Sequence, residues 1–328
     1  MQDKTNALRQ VQVFKKRQEA EGVCSFELVC PSGQPLSAFT AGAHIDVHIN
    51  GLVRQYSLCN DPAEATQYRI GVLREPASRG GSVAMHEALS EGDVLSISEP
   101  RNHFSLVEGD HHTVLLAGGI GITPLLGMAR HLQRSQASFA LHYCARSRER
   151  AAFLDEILAS PFAGNVFFHP DDAQAEQRFD INQLLKNCPA GSHWYVCGPA
   201  GFLDYVLGHA RTAGIPDCRL HREYFGAAPA ELASKGGNSC DAFEVVIAST
   251  GEAYTIESDE SITHGLLRQG IEIPVSCEQG VCGTCLTSVL EGTPDHRDLV
   301  LTAEEHARND LFAPCCSRSK TARLVLDL

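Results

Sequence analysis

The feature that most constrains this chain is Cys277-Glu-Gln-Gly-Val-Cys282-Gly-Thr-Cys285, followed far downstream by Cys315. Three cysteines at C-x4-C-x2-C with a distant fourth have the spacing of a plant-type [2Fe–2S] site. Such a cluster needs a tight loop of thiolates on one side and one more thiolate to close the other. Gly280 and Gly283 let the loop curl until backbone N–H groups reach sulfur. A zinc site or a disulfide knot is the competing reading. Zinc sites favour paired C-x2-C knuckles, and here only 282–285 has that spacing.

The chain of 328 residues has room for two domains or three small ones, and a hydrophobic content of 43% suffices for packed cores. No run approaches the ~20 apolar residues of a membrane span. The polar start Met-Gln-Asp-Lys-Thr-Asn has no apolar signal core, so a cytoplasmic location is expected. Thirteen cysteines are too sparse for a disulfide scaffold in a chain of this length. A net charge of −13 argues against nucleic acid as a partner. From Ser239 onward there are fifteen acids against six bases, so −9 of that charge lies in the last quarter. A solvated acidic face accounts for this, and so does electrostatic steering toward a basic protein partner.

Up to about residue 105, short stretches of alternating polarity recur at 7–15, 22–30, 43–49, 54–58, 68–72 and 94–97. Strands of this length and spacing form an antiparallel barrel or a sandwich. Arg54-Gln-Tyr56-Ser57-Leu58 offers a cation, a phenol and a hydroxyl on one strand. Arg79-Gly80-Gly81-Ser82 precedes a helix pattern that includes His86 and Leu89. An arginine beside a helix N-terminus can hold a phosphate monoester, although Gly-Gly is also simply a turn.

Residues 106–226 alternate differently. The apolar run 113–117 leads into Gly118-Gly119-Ile120-Gly121-Ile122-Thr123-Pro124, and a helical pattern follows through Leu125, Leu126, Ala129 and Leu132. Strand, glycine turn and helix open a parallel nucleotide-binding unit, with the pyrophosphate at the helix N-terminus. Strands at 139–144, 166–168 and 193–197 alternate with helices at 153–158, 181–185 and beyond Cys197-Gly198-Pro199. That order gives a doubly wound parallel sheet. Its ligand crevice is lined by residues that follow strands, among them Arg146 after the second. A glycine-rich linker spans 227–238. The last segment, 239–328, has a hairpin at 243–256, a helix at 262–269 and strands at 286–290 and 323–328 around the cysteine loop.

These motifs together resemble the phthalate dioxygenase reductase family of the ferredoxin-NADP reductase superfamily. The resemblance runs through the whole chain in domain order and includes Asp295-His-Arg-Asp298. It implies a multidomain protein: an FMN-binding β-barrel at 1–105, an NADH-binding α/β domain at 106–226 and a β-grasp [2Fe–2S] ferredoxin domain at 239–328. By resemblance, Arg54, Tyr56, Ser57, Leu58, Gly71, Val72, Gly80, Gly81 and Ser82 hold the flavin. Gly119, Ile120, Thr123, Pro124, Arg146, Cys197, Gly198 and Pro199 hold the nucleotide. Thr123 and Cys197 flank the nicotinamide, and Phe225, with Glu223 nearby, covers the flavin until nicotinamide displaces it. FMN is implied over FAD because the family lacks an adenine platform.

NADH is implied over NADPH, although Arg146 and Arg148 could attract a 2′-phosphate. The ligands are Cys277, Cys282, Cys285 and Cys315. The family's Cys-x-Ser-Arg aligns on Cys315-Cys-Ser-Arg, and Cys316 faces away if the backbone there is extended. The implied activity is a reductase that moves electrons from NADH through FMN and the cluster to a terminal Rieske non-haem iron oxygenase. The oxygenase would act on a small aromatic or a quaternary amine. A reductase for a cytochrome or ferredoxin, and a non-enzymatic redox sensor, remain the alternatives.

Overall fold

The computed structural model describes residues 8–64, 66–76, 80–225, 242–275 and 277–328. The chain divides into two compact units, Met1–Phe225 and Gly226–Leu328. Arg79 and the expected linker at 227–238 lie outside the described residues.

The first unit carries two sheets. Strands β1 (Arg9–Ala20), β2 (Val23–Val29), β3 (His44–Ile49), β4 (Leu52–Ser57), β5 (Gln67–Leu73) and β6 (Val94–Ile97) pair antiparallel in the order β4-β3-β6-β1-β2-β5. A bridge between Leu58 and Ile70 joins the two ends of that order, so the sheet closes as a barrel. The period-2 pattern fills it. Val11, Val13, Phe26, Leu28, Ile45, Val47, Ile70 and Val72 are all buried in one cluster. Each such side chain contributes about 1.5–3 kcal/mol by leaving water. Helix α1 (Gly81–Glu87) crosses the barrel and ends before Leu89, which the sequence pattern had included. Nε2 of His86 donates to the Val72 carbonyl at 2.8 Å and ties this helix to β5.

The second sheet is wholly parallel, in the order β11-β10-β7-β8-β9: β7 (Thr113–Gly118), β8 (Phe139–Ala145), β9 (Val166–Pro170), β10 (His193–Gly198) and β11 (Leu220–Tyr224). The chain runs outward from β7 to β9 and then returns to β10 on the other side of β7. The strand order therefore reverses between β7 and β10, which is where open α/β sheets bind ligands. Helix α2 (Ile122–Arg134) buries Ile122, Leu125, Leu126, Ala129 and Leu132, one face at helical spacing. Helices α3 (Leu154–Leu158) and α4 (Ile181–Asn187) follow β8 and β9, and α5 (Ala200–Thr212) follows β10.

The two sheets are locked together. Arg69 on β5 pairs with Glu19 of β1 at 2.8 Å and with Glu156 of α3 at 2.7 Å, and Glu156 also binds Arg130 of α2. The Arg69 guanidinium lies 4.8 Å from the centre of the Phe153 ring.

The second unit is a mixed sheet with one main helix. Strands β12 (Phe243–Ile247), β13 (Ala253–Ile256), β14 (Thr287–Glu291), β16 (Leu311–Phe312) and β18 (Arg323–Leu326) run in the order β13-β12-β18-β14-β16, with β12 and β18 parallel. A small ladder joins β15 (Pro294–Asp295) to β17 (Arg318–Ser319). Helix α6 (Ile262–Leu267) is capped by the Ser261 hydroxyl. Helix α7 (Ala303–Arg308) opens on a reciprocal box between Thr302 and Glu305. This is the β-grasp arrangement read from the sequence. Among the described residues, no helix is long and apolar enough to cross a membrane.

Replacing Arg69 with methionine leaves Glu19 buried without its cation, a loss of about 3–5 kcal/mol. Chemical denaturation of the full chain is expected to show that loss in the transition that unfolds the first unit.

Candidate functional site

The phosphate end is built from β4 and α1. Gly80 has φ of 89°, a left-handed conformation that glycine adopts freely, and it turns the chain into the helix. Gly81 has no side chain where Arg54 passes: a Cβ there would meet Arg54 Cγ and Nε at 2.6 Å. The cation and the helix N-terminus, 27 residues apart in sequence, are thus brought side by side. Arg54 Nη1 donates to its neighbour's carbonyl, Val53, at 2.7 Å. The Ser82 hydroxyl accepts the Glu75 amide at 3.1 Å, so it braces the turn. Tyr56 packs against the barrel core, and burial pushes its phenol well above the ordinary range. This cradle suits a phosphate monoester on a planar ring system.

The centre of the site is where the two sheets meet. Gly71 of β5 faces the start of α2: a Cβ there would meet Thr123 Cγ2 at 2.8 Å and the Phe153 ring at 3.0 Å. Gly71 thus sets how closely the barrel approaches the parallel sheet. Val72 beside it contributes a core side chain and the carbonyl that holds His86. Leu58 is fully buried, and its amide donates to the Ala43 carbonyl at 2.8 Å. The Ser57 hydroxyl donates to Glu223 Oε2 at 3.4 Å, and the Cys197 thiol reaches the same oxygen at 3.9 Å. One residue from the barrel and one from the end of β10 therefore converge on a single carboxyl oxygen of β11. Burial pushes the Glu223 carboxyl up to about 8, against the lowering effect of those two hydrogen bonds. Burial and the nearby Glu223 hold the Cys197 thiol well above its ordinary value, so it is a neutral S–H donor and not a thiolate nucleophile.

The nucleotide end lies at the switch point. Gly119, Ile120 and Gly121 form a single 3-10 turn between β7 and α2. A Cβ on Gly121 would meet the Cys197 carbonyl oxygen at 2.2 Å, so this turn and the end of β10 touch backbone to backbone. The Thr123 hydroxyl donates to the Ile120 carbonyl at 3.0 Å, and Pro124 occupies the first turn of α2, where a missing N–H costs nothing. Gly198 ends β10, Pro199 starts α5, and the Phe225 amide reaches the Gly198 carbonyl at 3.3 Å. Phe225 is half-buried against the core of the parallel sheet. Arg146 is exposed just past β8. Arg148 is held by Asp155 at 2.6 Å.

The cysteine loop stands in the second unit. The sulfurs of Cys282 and Cys315 lie within hydrogen-bonding reach of Cys277. Cys285 and Cys315 are both buried in the core of that unit. Backbone amides point at sulfur: Gln279 N–H to Cys277 at 3.3 Å and Thr284 N–H to Cys282 at 3.5 Å. Amides aimed at cysteine sulfur suit thiolates that carry charge to an iron centre. Residues 314–316 form a turn rather than extended backbone, so Cys316 does not face away: it lies against Gly280 with its sulfur within hydrogen-bonding reach of Cys315.

Sequence reasoning missed two parts. Gly121 belongs to the glycine motif, but its contact with Cys197 is written in no spacing. Asp298 was visible only as part of a quoted motif. Its carboxylate is fully buried, accepts the Leu301 amide at 2.9 Å and faces His306 Nε2 at 3.2 Å and His296 Nδ1 at 3.7 Å. Burial works to raise this carboxyl, but the adjacent His296 ring and the hydrogen bonds from His306 and the Leu301 amide hold it well below the usual range.

Residues 245–320 match the family model described as a 2Fe-2S iron-sulfur cluster binding domain. The chain is 52% identical over 318 residues to the vanillate O-demethylase oxidoreductase of Pseudomonas putida, covering 96% of this chain and 98% of that one. It is 38% identical over 320 residues to the phthalate dioxygenase reductase of Burkholderia cepacia, covering 97% of each. Among solved structures, a phthalate dioxygenase reductase described as modular, for electron transfer from pyridine nucleotides to [2Fe-2S], matches with a TM-score of 0.72 at 37% identity over 98% of both chains. An intact type IV self-sufficient cytochrome P450 monooxygenase matches with a TM-score of 0.87 at 36% identity, over 98% of this chain and 41% of that one.

The raised Glu223 carboxyl has a pH consequence. Between its ordinary value of 4.5 and about 8, the folded chain keeps a proton that the unfolded chain has lost. The contribution of this group to stability therefore falls as pH rises through that window. Glu223→Gln removes the effect. Denaturation of both proteins across this range is expected to show the variant gaining on the wild type up to about pH 8 and levelling off above it.

Proposed function

The chain belongs to the phthalate dioxygenase reductase family, and from that premise we propose that it is the NADH-dependent reductase component of a Rieske-type aromatic O-demethylase. The observation that carries the reading is the convergence of the Ser57 hydroxyl and the Cys197 thiol on one oxygen of Glu223. A flavin-type barrel and a nucleotide-type sheet share a proton-holding group there, in a chain that also bears the four-cysteine loop. The oxidoreductase is a flavoprotein whose cofactors are FMN, NADH and a [2Fe–2S] cluster. Its partner is an oxygenase component, and the vanillate-type relative at 52% identity favours a methoxylated aromatic acid as that oxygenase's substrate. The working domains are 1–105 for flavin, 106–226 for nucleotide and 239–328 for the cluster, joined by 227–238. The reading places the protein in the cytoplasm.

When bound, the flavin links a two-electron hydride donor to a one-electron carrier, which is chemistry that side chains do not supply. The chain's own residues bind and orient. Arg54, Gly80, Gly81 and Ser82 take the flavin phosphate, and Tyr56, Ser57 and Leu58 form the strand along the ring. The Gly119–Gly121 turn and the start of α2 receive the pyrophosphate. Gly198 and Pro199 leave room for the nicotinamide half, and Arg146 faces the ribose. Thr123 and Cys197 flank the nicotinamide. Glu223, protonated near neutrality, holds a proton where the barrel meets the parallel sheet. Phe225 would cover the bound flavin and exclude water from it. Cys277, Cys282, Cys285 and Cys315 hold the iron.

The purified protein is expected to release FMN on acid treatment and to contain iron and sulfide in equal amounts. NADH should reduce both chromophores far faster than NADPH. An absence of flavin, or a cluster left oxidised by NADH, would refute the assignment. Reconstitution with a Rieske O-demethylase, scored against a cytochrome P450 as acceptor, tests the partner.

Gly81→Val drives a side chain into Arg54 and is expected to weaken FMN binding about tenfold or more, read by fluorescence on flavin titration. Iron content should be unchanged.

A further inference from the structure

Gly280 sits between Cys277 and Cys282 with φ of 71°. Its carbonyl accepts two amides from outside the cysteine loop, Leu299 at 2.9 Å and Val300 at 3.2 Å. A Cβ on Gly280 would lie 2.9 Å from Asp298 Cα and 2.5 Å from Cys316 Sγ, so segment 298–300 is pressed onto the loop. The Val281 amide shares a peptide with the anchored Gly280 carbonyl, the Gln279 amide lies two peptides further back, and both are directed at the Cys277 sulfur.

The anchoring segment is itself fixed by one side chain. Asp298 is fully buried, accepts the Leu301 amide at 2.9 Å and His306 Nε2 at 3.2 Å, and faces the His296 ring at 3.7 Å. Asn309 Oδ1 takes the other nitrogen of His296, Nε2, at 3.3 Å, and its own Nδ2 donates to the Ala307 carbonyl at 3.2 Å, which fixes the amide's orientation. His296 and His306 stack with ring centres 4.3 Å apart. Arg297 binds Asp295 at 2.9 Å, and its amide reaches the Ser317 hydroxyl at 3.2 Å, one residue past Cys316. His296 and Asp298 thus tie this segment to the helix Ala303–Arg308 and its cap, while Arg297 and Asp295 pair within it.

We infer that Asp298, held by His306 and the Leu301 amide, is a positioning residue for the iron–sulfur centre: it fixes the backbone at Gly280 so that the Gln279 and Val281 amides stay on the Cys277 sulfur. Amide hydrogen bonds to ligand sulfur stabilise the more negative, reduced state, so they raise the reduction potential. This inference rests on the four-cysteine loop holding a [2Fe–2S] cluster, the reading given above.

The test is a potentiometric titration, with electron paramagnetic resonance of the reduced cluster, on full-length protein. Asp298→Ala is expected to lower the cluster potential, alter the reduced signal and speed cluster loss about tenfold, with FMN content and flavin potential unchanged. His306→Gln, which retains a donor to Asp298, should stay near wild type, and His306→Ala should shift in the direction of Asp298→Ala. Gly280→Ala forces the same two segments apart and should reproduce the shift even if Asp298→Ala does not load iron. Wild-type potential and signal in iron-loaded Asp298→Ala, or in both His306→Ala and Gly280→Ala, would overturn the inference. A wild-type protein without iron and sulfide would instead refute the cluster assignment, so the two failures are distinguishable.

Discussion

Two sheets can share a pair of stacked rings only if their backbones come close, and in this chain that closeness is set by missing side chains. Gly71 leaves space for Thr123 and Phe153, and Gly121 leaves space for the carbonyl of Cys197. A single methyl at either place would fall inside the contact distance of a packed neighbour, where displacement costs typically about 1–3 kcal/mol. The Arg69 network then holds the approach from the other side, with one guanidinium shared between a barrel carboxylate and a helix carboxylate. Because Arg69 and Glu19 are largely buried, their pairing is strong against separation even though a packed apolar contact could equal it in stability. The Glu223 group follows from this geometry. Ser57 on one sheet can reach a carboxyl on the other only because the strands carrying them end at the same place.

The second unit applies the same economy to a different problem. Its cysteines come from one tight loop and one distant residue, and nothing local fixes how that loop curls. The curl is set from outside, by amides of 299 and 300 on the Gly280 carbonyl and by the buried Asp298 that orders them. A buried carboxylate with a histidine and an amide as donors is stable where one with none would be costly. The acidic residue is therefore an internal strut, unlike the exposed acids that give this quarter of the chain its charge.

Much of this was legible in the sequence because it rests on local rules. Period-2 alternation located all six barrel strands, and apolar runs followed by glycine located β7 and β10. The cysteine spacing and Cys-Gly-Pro carried their chemistry in the residues themselves. What was not legible depends on contacts between distant segments. The barrel and sandwich alternatives differ by one bridge, Leu58 to Ile70, that no alternation encodes. Arg69 finds Glu19 and Glu156, which lie 50 and 87 residues away. Helix α1 stopped before Leu89 because that side chain serves the barrel core rather than a helix face. The short strands β15 to β17 and the helix Ala303–Arg308 have too few residues to show a period at all.

If the touching strand ends at the switch point place the hydride donor against the flavin, separating them must slow hydride transfer. The direct measurement is anaerobic single-turnover bleaching of the flavin by NADH in Gly121→Ala, whose new methyl must push the Cys197 carbonyl away. Reduction by NADH is expected to be much slower, with flavin and iron content intact and dithionite still reducing both centres at the wild-type rate. Bleaching by NADH as fast as in the wild type would contradict it.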